Sequence, residues 1–556
     1  MAGMDSYVIV ILVLCALTAL GNGDDAITKA RSCSDIRKFY TGKGFGLDEV
    51  PLSEISGEHL RVCPQGYTCC TSAMEESLAN LSRIETEHLL KISGHIQQAT
   101  INAHYKAFDE FFMEALNRSE GSLQESFPSA LGPLYTENAH VFRDLYTDLR
   151  RYFRGTSNIN LEEALNEFWS RLLERLFKTV NRQYTIGDEY LECVSKNMER
   201  LRPFGGKPHA LWTSVKSTFV STRSFVQALM VGGEVMRKVS QLPMSAECTR
   251  AIMKMTYCPH CRGVASAKAC PNYCLNVMKG CLANQADLHT EWRNLLDVLE
   301  QVLNHMEAQV NVETVILTLP ARMAEAVSAL RENMDALNPK VFRACGELRE
   351  GGTSSGAQEE VKKGGKILVP DKVGLGNRAM LEKLVSGLRA WLNTAGQYWV
   401  TQPVKICQEM ESFSVAVDED KCWNGMTRGR YLPEMMGDGL ASQINNPEVD
   451  IDITKPHMRV RQQIMELKMM TNRVKSAING NDVEFQDTSD DVSGSGSGLC
   501  AEENCPRGPR LILPNTDSPR VYAFPPENNK VRATGSHNLP CSTLYLLSLV
   551  TPLLWR

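Results

Sequence analysis

The sequence predicts an all-α, disulfide-stapled core followed by a disordered C-terminal stalk, and three observations carry that reading. Apolar residues recur at helical spacing from about Met74 to Val310, while strand-like alternation is scarce. Eighteen cysteines occur in 556 residues that also carry the marks of a secreted chain. Beyond Asn481 the chain turns acidic, then rich in Gly and Ser, then Pro- and Asn-containing. A net charge of −5 over this length leaves no obvious single-sign field, which argues against direct nucleic-acid binding.

Residues 1–23 are expected to be a secretory signal peptide. Its apolar stretch runs from Tyr7 to Leu20, with Gly21 and Gly23 behind it, although a basic start is missing. About fourteen apolar residues are too few to span a bilayer. Residues 24–480 form the predicted core, opening with Cys33, Cys63, Cys69 and Cys70. Two Asn-x-Ser sequons follow, Asn80-Leu81-Ser82 and Asn117-Arg118-Ser119, and mark Asn80 and Asn117 as N-glycosylation candidates.

The helical pattern is clear between Asn138 and Arg154, with Val141, Phe142, Leu145, Leu149 and Phe153 on one stripe and Gly155 as the stop. It repeats from Leu161 to Val180, where Asn160 supplies the cap and Glu163 sits near the positive end. A third such helix holds Trp292, Leu295, Leu296, Leu299, Val302 and Leu303. Residues 349–376 are poor in apolar side chains and predict a mobile loop. Helical pattern resumes at Leu381–Leu392, and an amphipathic segment runs from about His457 to Ile478. Its Met465, Met469 and Met470 are expected to pack in the core.

Residues 481–533 read as a stalk. In it, Asp487-Thr488-Ser489-Asp490-Asp491 precedes three Ser-Gly pairs at Ser493, Ser495 and Ser497. Serine before glycine beside carboxylates is the acceptor pattern for glycosaminoglycan synthesis; a plain flexible linker is the competing reading. Residues 534–556 read as a removed glycosylphosphatidylinositol signal: small residues Ala533 to Ser536, a polar spacer, and an apolar run Leu544–Trp555. Ala533 is the expected attachment residue, with Gly535 its rival.

Setting aside Cys15 in the signal peptide and Cys541 in the tail leaves sixteen cysteines, an even number that argues for disulfides. Cys258-Pro259-His260-Cys261 also has the spelling of a thiol redox centre, and Cys258, Cys261, Cys270 and Cys274 that of a zinc site. Secretion and the absence of a preceding strand favour structural disulfides. Gly352-Thr353-Ser354-Ser355-Gly356 and Gly374-Leu375-Gly376-Asn377-Arg378-Ala379 match nucleophile-elbow and dinucleotide motifs by spelling only, without the flanking elements those motifs need. No catalytic residue, cofactor or metal is expected.

Four blocks resemble the glypican family: Cys63-Pro-Gln-Gly-Tyr-Thr-Cys69-Cys70, Cys281-Leu-Ala-Asn-Gln-Ala-Asp-Leu288, Cys422-Trp-Asn-Gly-Met-Thr-Arg-Gly-Arg-Tyr431 and Gln443-Ile-Asn-Asn-Pro-Glu-Val-Asp-Ile-Asp-Ile-Thr-Lys-Pro456. The resemblance implies an elongated all-α core and seven disulfides: Cys33–Cys69, Cys63–Cys258, Cys70–Cys261, Cys193–Cys345, Cys248–Cys281, Cys270–Cys422 and Cys274–Cys407. Cys500 and Cys505 fall outside that framework, and residues 349–376 lack the Arg-x-x-Arg site at which some glypicans are cut. The implied function is that of a cell-surface heparan sulfate proteoglycan. It would be tethered to the outer leaflet by its lipid anchor, or shed from it. As a co-receptor it would capture basic growth factors and morphogens of the FGF, Wnt, Hedgehog or BMP class for their receptors. The competing functions are a protein-only binding module and a tethered thiol oxidoreductase using Cys258 and Cys261.

Overall fold

The computed structural model describes residues 32–48, 50–155, 159–308, 312–349, 375–410 and 420–482. All of these belong to one compact body. The signal-peptide, stalk and anchor expectations, and the loop over 350–374, lie outside the described residues.

The cysteine-rich opening holds α1 (Ser34–Gly42) and a two-stranded antiparallel ribbon. In that ribbon β1 (Ile55–Ser56) pairs with β2 (Tyr67–Thr68), Ile55 facing Thr68 and Ser56 facing Tyr67. The chain then enters α2 (Ser72–Leu131), a 60-residue helix about 90 Å long. Thr71 starts it by accepting the Met74 N–H at 3.3 Å, and Gly132, at φ 54°, ends it just before Pro133. A short turn α3 (Pro133–Thr136) leads to α4 (Ala139–Arg154), then α5 (Leu161–Val180), α6 (Asp188–Lys196) and α7 (Met198–Leu201). Asn160 accepts the Glu162 and Glu163 N–H groups at the start of α5, and Gly155 takes the left-handed conformation after α4.

The second long helix, α8 (Lys207–Ser240), packs along α2, and a glycine sets their separation. A Cβ on Gly94 would stand 2.2 Å from the Ser240 Cβ, so only glycine permits this approach. Next come α9 (Ala246–Thr256), α10 (Cys258–Cys261), α11 (Pro271–Cys281), α12 (Ala283–Ala286) and α13 (His289–Ala308). The chain continues through α14 (Val312–Leu317), α15 (Leu319–Glu332), α16 (Met334–Cys345), α17 (Leu375–Ala395) and α18 (Tyr398–Glu409). An irregular stretch with one 3-10 turn, Leu440–Gln443, precedes the last helix, α19 (Met458–Ile478). The stretch spelled like a dinucleotide loop therefore opens a helix from Leu375 onward.

Two hydrophobic cores share α2. The larger spans Ile101 to Ala477 and is rich in aromatics: Phe108, Phe112, Phe127, Phe142 and Phe177 are fully buried. Within it the Trp292 indole N–H donates to the Ala395 carbonyl at 2.9 Å, with Trp391 and Trp399 edge-on to its ring. The smaller core holds most of the cysteines, together with Met74 and Leu78 of α2. Of the three α19 methionines expected in the core, only Met470 is buried. Met465 and Met469 are 56% and 43% exposed, because they lie on the face turned away from Val460, Leu467 and Val474.

Candidate functional site: the stapled core and the exit of the chain

Among the described residues seven disulfides join Cys33–Cys69, Cys63–Cys258, Cys70–Cys261, Cys193–Cys345, Cys248–Cys281, Cys270–Cys422 and Cys274–Cys407. Six of them gather in the smaller core, where their cysteines are nearly all buried. The pattern disposes of two chemistries. Cys258 and Cys261 are bonded to separate partners in the N-terminal segment, so they are no redox pair. Cys270 and Cys274 are likewise bonded, so no thiolate set remains there for zinc. Among the described residues no cluster of His, Cys, Asp and Glu is arranged to hold a metal.

Side chains that sequence reasoning missed complete the stapling. Glu75, buried in the first turn of α2, accepts the Arg61, Val62 and Cys63 N–H groups at 2.8, 2.9 and 2.7 Å. Three otherwise orphaned donors thereby fix the loop that delivers Cys63 to Cys258. Asn276, wholly buried on α11, donates to the Tyr431 hydroxyl at 3.1 Å and the Glu434 carbonyl at 2.8 Å. Its backbone carbonyl accepts from the Asn446 side-chain amide at 2.9 Å. One residue, through its side chain and its backbone, thus holds two of the family-like blocks together. Neither residue carries a local signal in the sequence, since both act through partners far along the chain.

Beside the staples lies a cavity of about 450 Å³ lined by Phe39, Lys43, Glu85, His88, Tyr257, His260 and Lys268, among others. The His260 ring stacks on Phe39 at 3.8 Å. Burial, with Lys43 and Lys268 adding positive charge nearby, pushes its pKa down to about 4. Glu85 accepts from the Tyr257 hydroxyl and pairs with Lys43 at 3.1 Å. The cavity offers an aromatic wall and a neutral imidazole.

Asn80 and Asn117 both stand exposed on α2. Their sequon serines do not: Ser82 is buried and donates to the Ala79 carbonyl at 2.8 Å. Ser119 is fully buried, donates to the Ile316 carbonyl at 2.7 Å and shares a 2.7 Å hydrogen bond with the Tyr146 hydroxyl. At the other end, Asp482 accepts from the Tyr152 hydroxyl at 2.8 Å, and the Arg223 guanidinium lies 4.5 Å over the Tyr152 ring. That contact ties the exit of the chain to α4 and α8. The proposed attachment residues Ser493, Ser495, Ser497, Ala533 and Gly535, with Cys500 and Cys505, lie beyond it, outside the described residues.

The Glypican family model matches residues 13–554. This chain belongs to the glypican family. Chicken glypican-1 is 52% identical over 550 residues, covering 98% of each chain. A crystal structure of C-terminally truncated glypican-1 superposes with a TM-score of 0.73 at 50% identity, over 82% of this chain and all of that one. The Dally-like protein, solved in complex with O-palmitoleoyl serine, gives 0.61 at 28% identity over 82% of this chain and all of its own. This glypican is therefore the core protein of a heparan sulfate proteoglycan, a class with no assigned catalytic activity, and its glypican-1 relatives are cell-surface proteoglycans. Among its described residues no helix is long and apolar enough to cross a membrane.

Proposed function

We propose that this glypican is a lipid-anchored co-receptor whose heparan sulfate chains are carried on Ser493, Ser495 and Ser497. The supporting observation is the placement of three Ser-Gly pairs behind an acidic cluster, directly after a core that is glypican throughout. The sulfated chains gather basic growth factors and morphogens of the FGF, Wnt, Hedgehog or BMP class and present them to signalling receptors. A polyanion captures such factors largely through released counterions, as phosphate backbones do. The anchor joins Ala533, with Gly535 as the alternative, and N-glycans join Asn80 and Asn117. The deciding experiment is a denaturing gel of the cell-surface protein before and after heparan lyase. A smear that collapses to a sharp band is the expected result; a band that is sharp from the start rejects the reading.

A second reading gives the binding to the helical core itself. The cavity beside Phe39 and His260 favours it, as does the complex of the Dally-like protein with O-palmitoleoyl serine. The lyase separates the two readings, since binding held by the core survives removal of the sugar.

A further inference from the structure

The outward face of α19 carries residues that core packing does not explain. Of its 21 residues five are cationic and one, Glu466, is acidic; Glu466 is taken by Lys238 of α8 at 3.6 Å. Arg461, Lys468 and Lys475 recur every seventh residue, are exposed, and make no ion pair with any described carboxylate. Seven residues are nearly two helical turns, so these cations form a straight row about 10.5 Å apart. Beside that row runs a second one of Met458, Met465 and Met469, exposed by 78%, 56% and 43%. In a chain of net charge −5, α19 thus presents a cationic and methionine-lined face about 30 Å long.

We propose that this face docks the molecule's own heparan sulfate chain. The proposal rests on the reading that Ser493 to Ser497 carry sulfated sugar. Charge complementarity selects a polyanion, and chain length selects which one. Ser493 follows the helix-ending Gly480 by 13 residues, which reach at most about 45 Å, so the first sugars are held within range of the cation row. Tethering at that distance gives an effective concentration in the millimolar range, roughly what a short linker provides, so a weak site is enough. The methionines give the C–H faces of the sugar rings an apolar, adaptable surface to rest on. Docking would hold the first part of each chain along the core and leave its outer part free for other partners.

The test uses the full-length secreted chain in two backgrounds. In a chain-free background (Ser493→Ala, Ser495→Ala, Ser497→Ala), retention on immobilised heparin is measured against salt. It is then repeated with Arg461→Gln, Lys468→Gln and Lys475→Gln, exposed positions where glutamine keeps the helix and stability changes little. The expected result is retention whose log-affinity against log-salt slope falls by about 2 in the triple glutamine variant. No retention, or an unchanged slope, overturns the proposal. In the chain-bearing protein, hydrogen exchange across α19 should speed up after heparan lyase, equally at all dilutions. Protection that grows with protein concentration would assign the sugar to a neighbouring molecule and reject the intramolecular contact. A protein that runs sharp on the gel without lyase removes the occupant, whatever the heparin column shows. The gel thereby separates failure of the parent reading from failure of the face.

Discussion

At Ser119 a sequon residue is also a core residue, and its two roles compete in time. An oligosaccharyltransferase must engage the Asn-x-Ser backbone in extended form, yet Ser119 is sealed between Tyr146 and Ile316 once α2 is packed. Glycosylation at Asn117 is therefore expected before folding, and mass spectrometry should find none on core refolded and then exposed to the transferase. Asn117→Gln should abolish the sequon at little cost, because Asn117 is exposed and its amide oxygen accepts from Arg150 at 3.2 Å. Ser119→Ala abolishes the sequon too, but leaves the Tyr146 hydroxyl and the Ile316 carbonyl short of a partner. It should cost about 1–3 kcal/mol in denaturant unfolding. Glu75→Gln belongs to the same scale. Losing a carboxylate that holds three N–H groups should lower stability by roughly 1.5–3 kcal/mol and slow correct closure of Cys63–Cys258.

Helices whose own residues carry their pattern were legible one by one. In α5 the cap at Asn160 and the buried stripe Leu161, Leu165, Phe168, Leu172 and Leu176 stand where the spacing put them. The misreading of Met465 and Met469 has a physical cause: methionine is apolar by type, but an exposed face is defined by what packs opposite, which one helix cannot reveal. Gly94 was invisible for the same reason, since its role depends on Ser240 of another helix. Gly94→Ala should force α2 and α8 apart and cost about 1–3 kcal/mol, read as a lowered unfolding midpoint. The disulfide partners could not be chosen from spacing, and only the family-like blocks offered a pairing. The cavity beside α1 and α10 makes a pH prediction. Because the folded state holds His260 near pKa 4 and the unfolded chain leaves it near 6.5, the unfolded form binds the extra proton between those values. The stabilisation from a neutral His260 is full above about pH 6.5 and lost as pH falls toward 4, up to about 3 kcal/mol in all. Replacing His260 with glutamine should flatten that part of the pH profile in chemical denaturation.

For the whole molecule the question is whether capture belongs to the sugar or to the protein. Asp482 fixes the point where the chain leaves α4 and α8, and Ser493 follows by 11 residues. Ser493, Ser495 and Ser497 sit in a Gly-rich stretch outside the described core, so changing all three to alanine should leave core unfolding within about 0.5 kcal/mol. Alanine lacks the hydroxyl that xylose requires, so chain attachment should disappear. On cells without glypicans of their own, growth-factor capture by the triple variant should fall sharply, and its weakening with added salt should largely vanish with the polyanion. Single changes should do less, because the remaining serines still offer hydroxyls for xylose. The salt slope decides the matter more firmly than the amount bound, since a small protein pocket has far fewer counterions to release than a sulfated chain. If the triple variant keeps both its capture and its slope, the helical core is the receptor and the serine tract is a spacer.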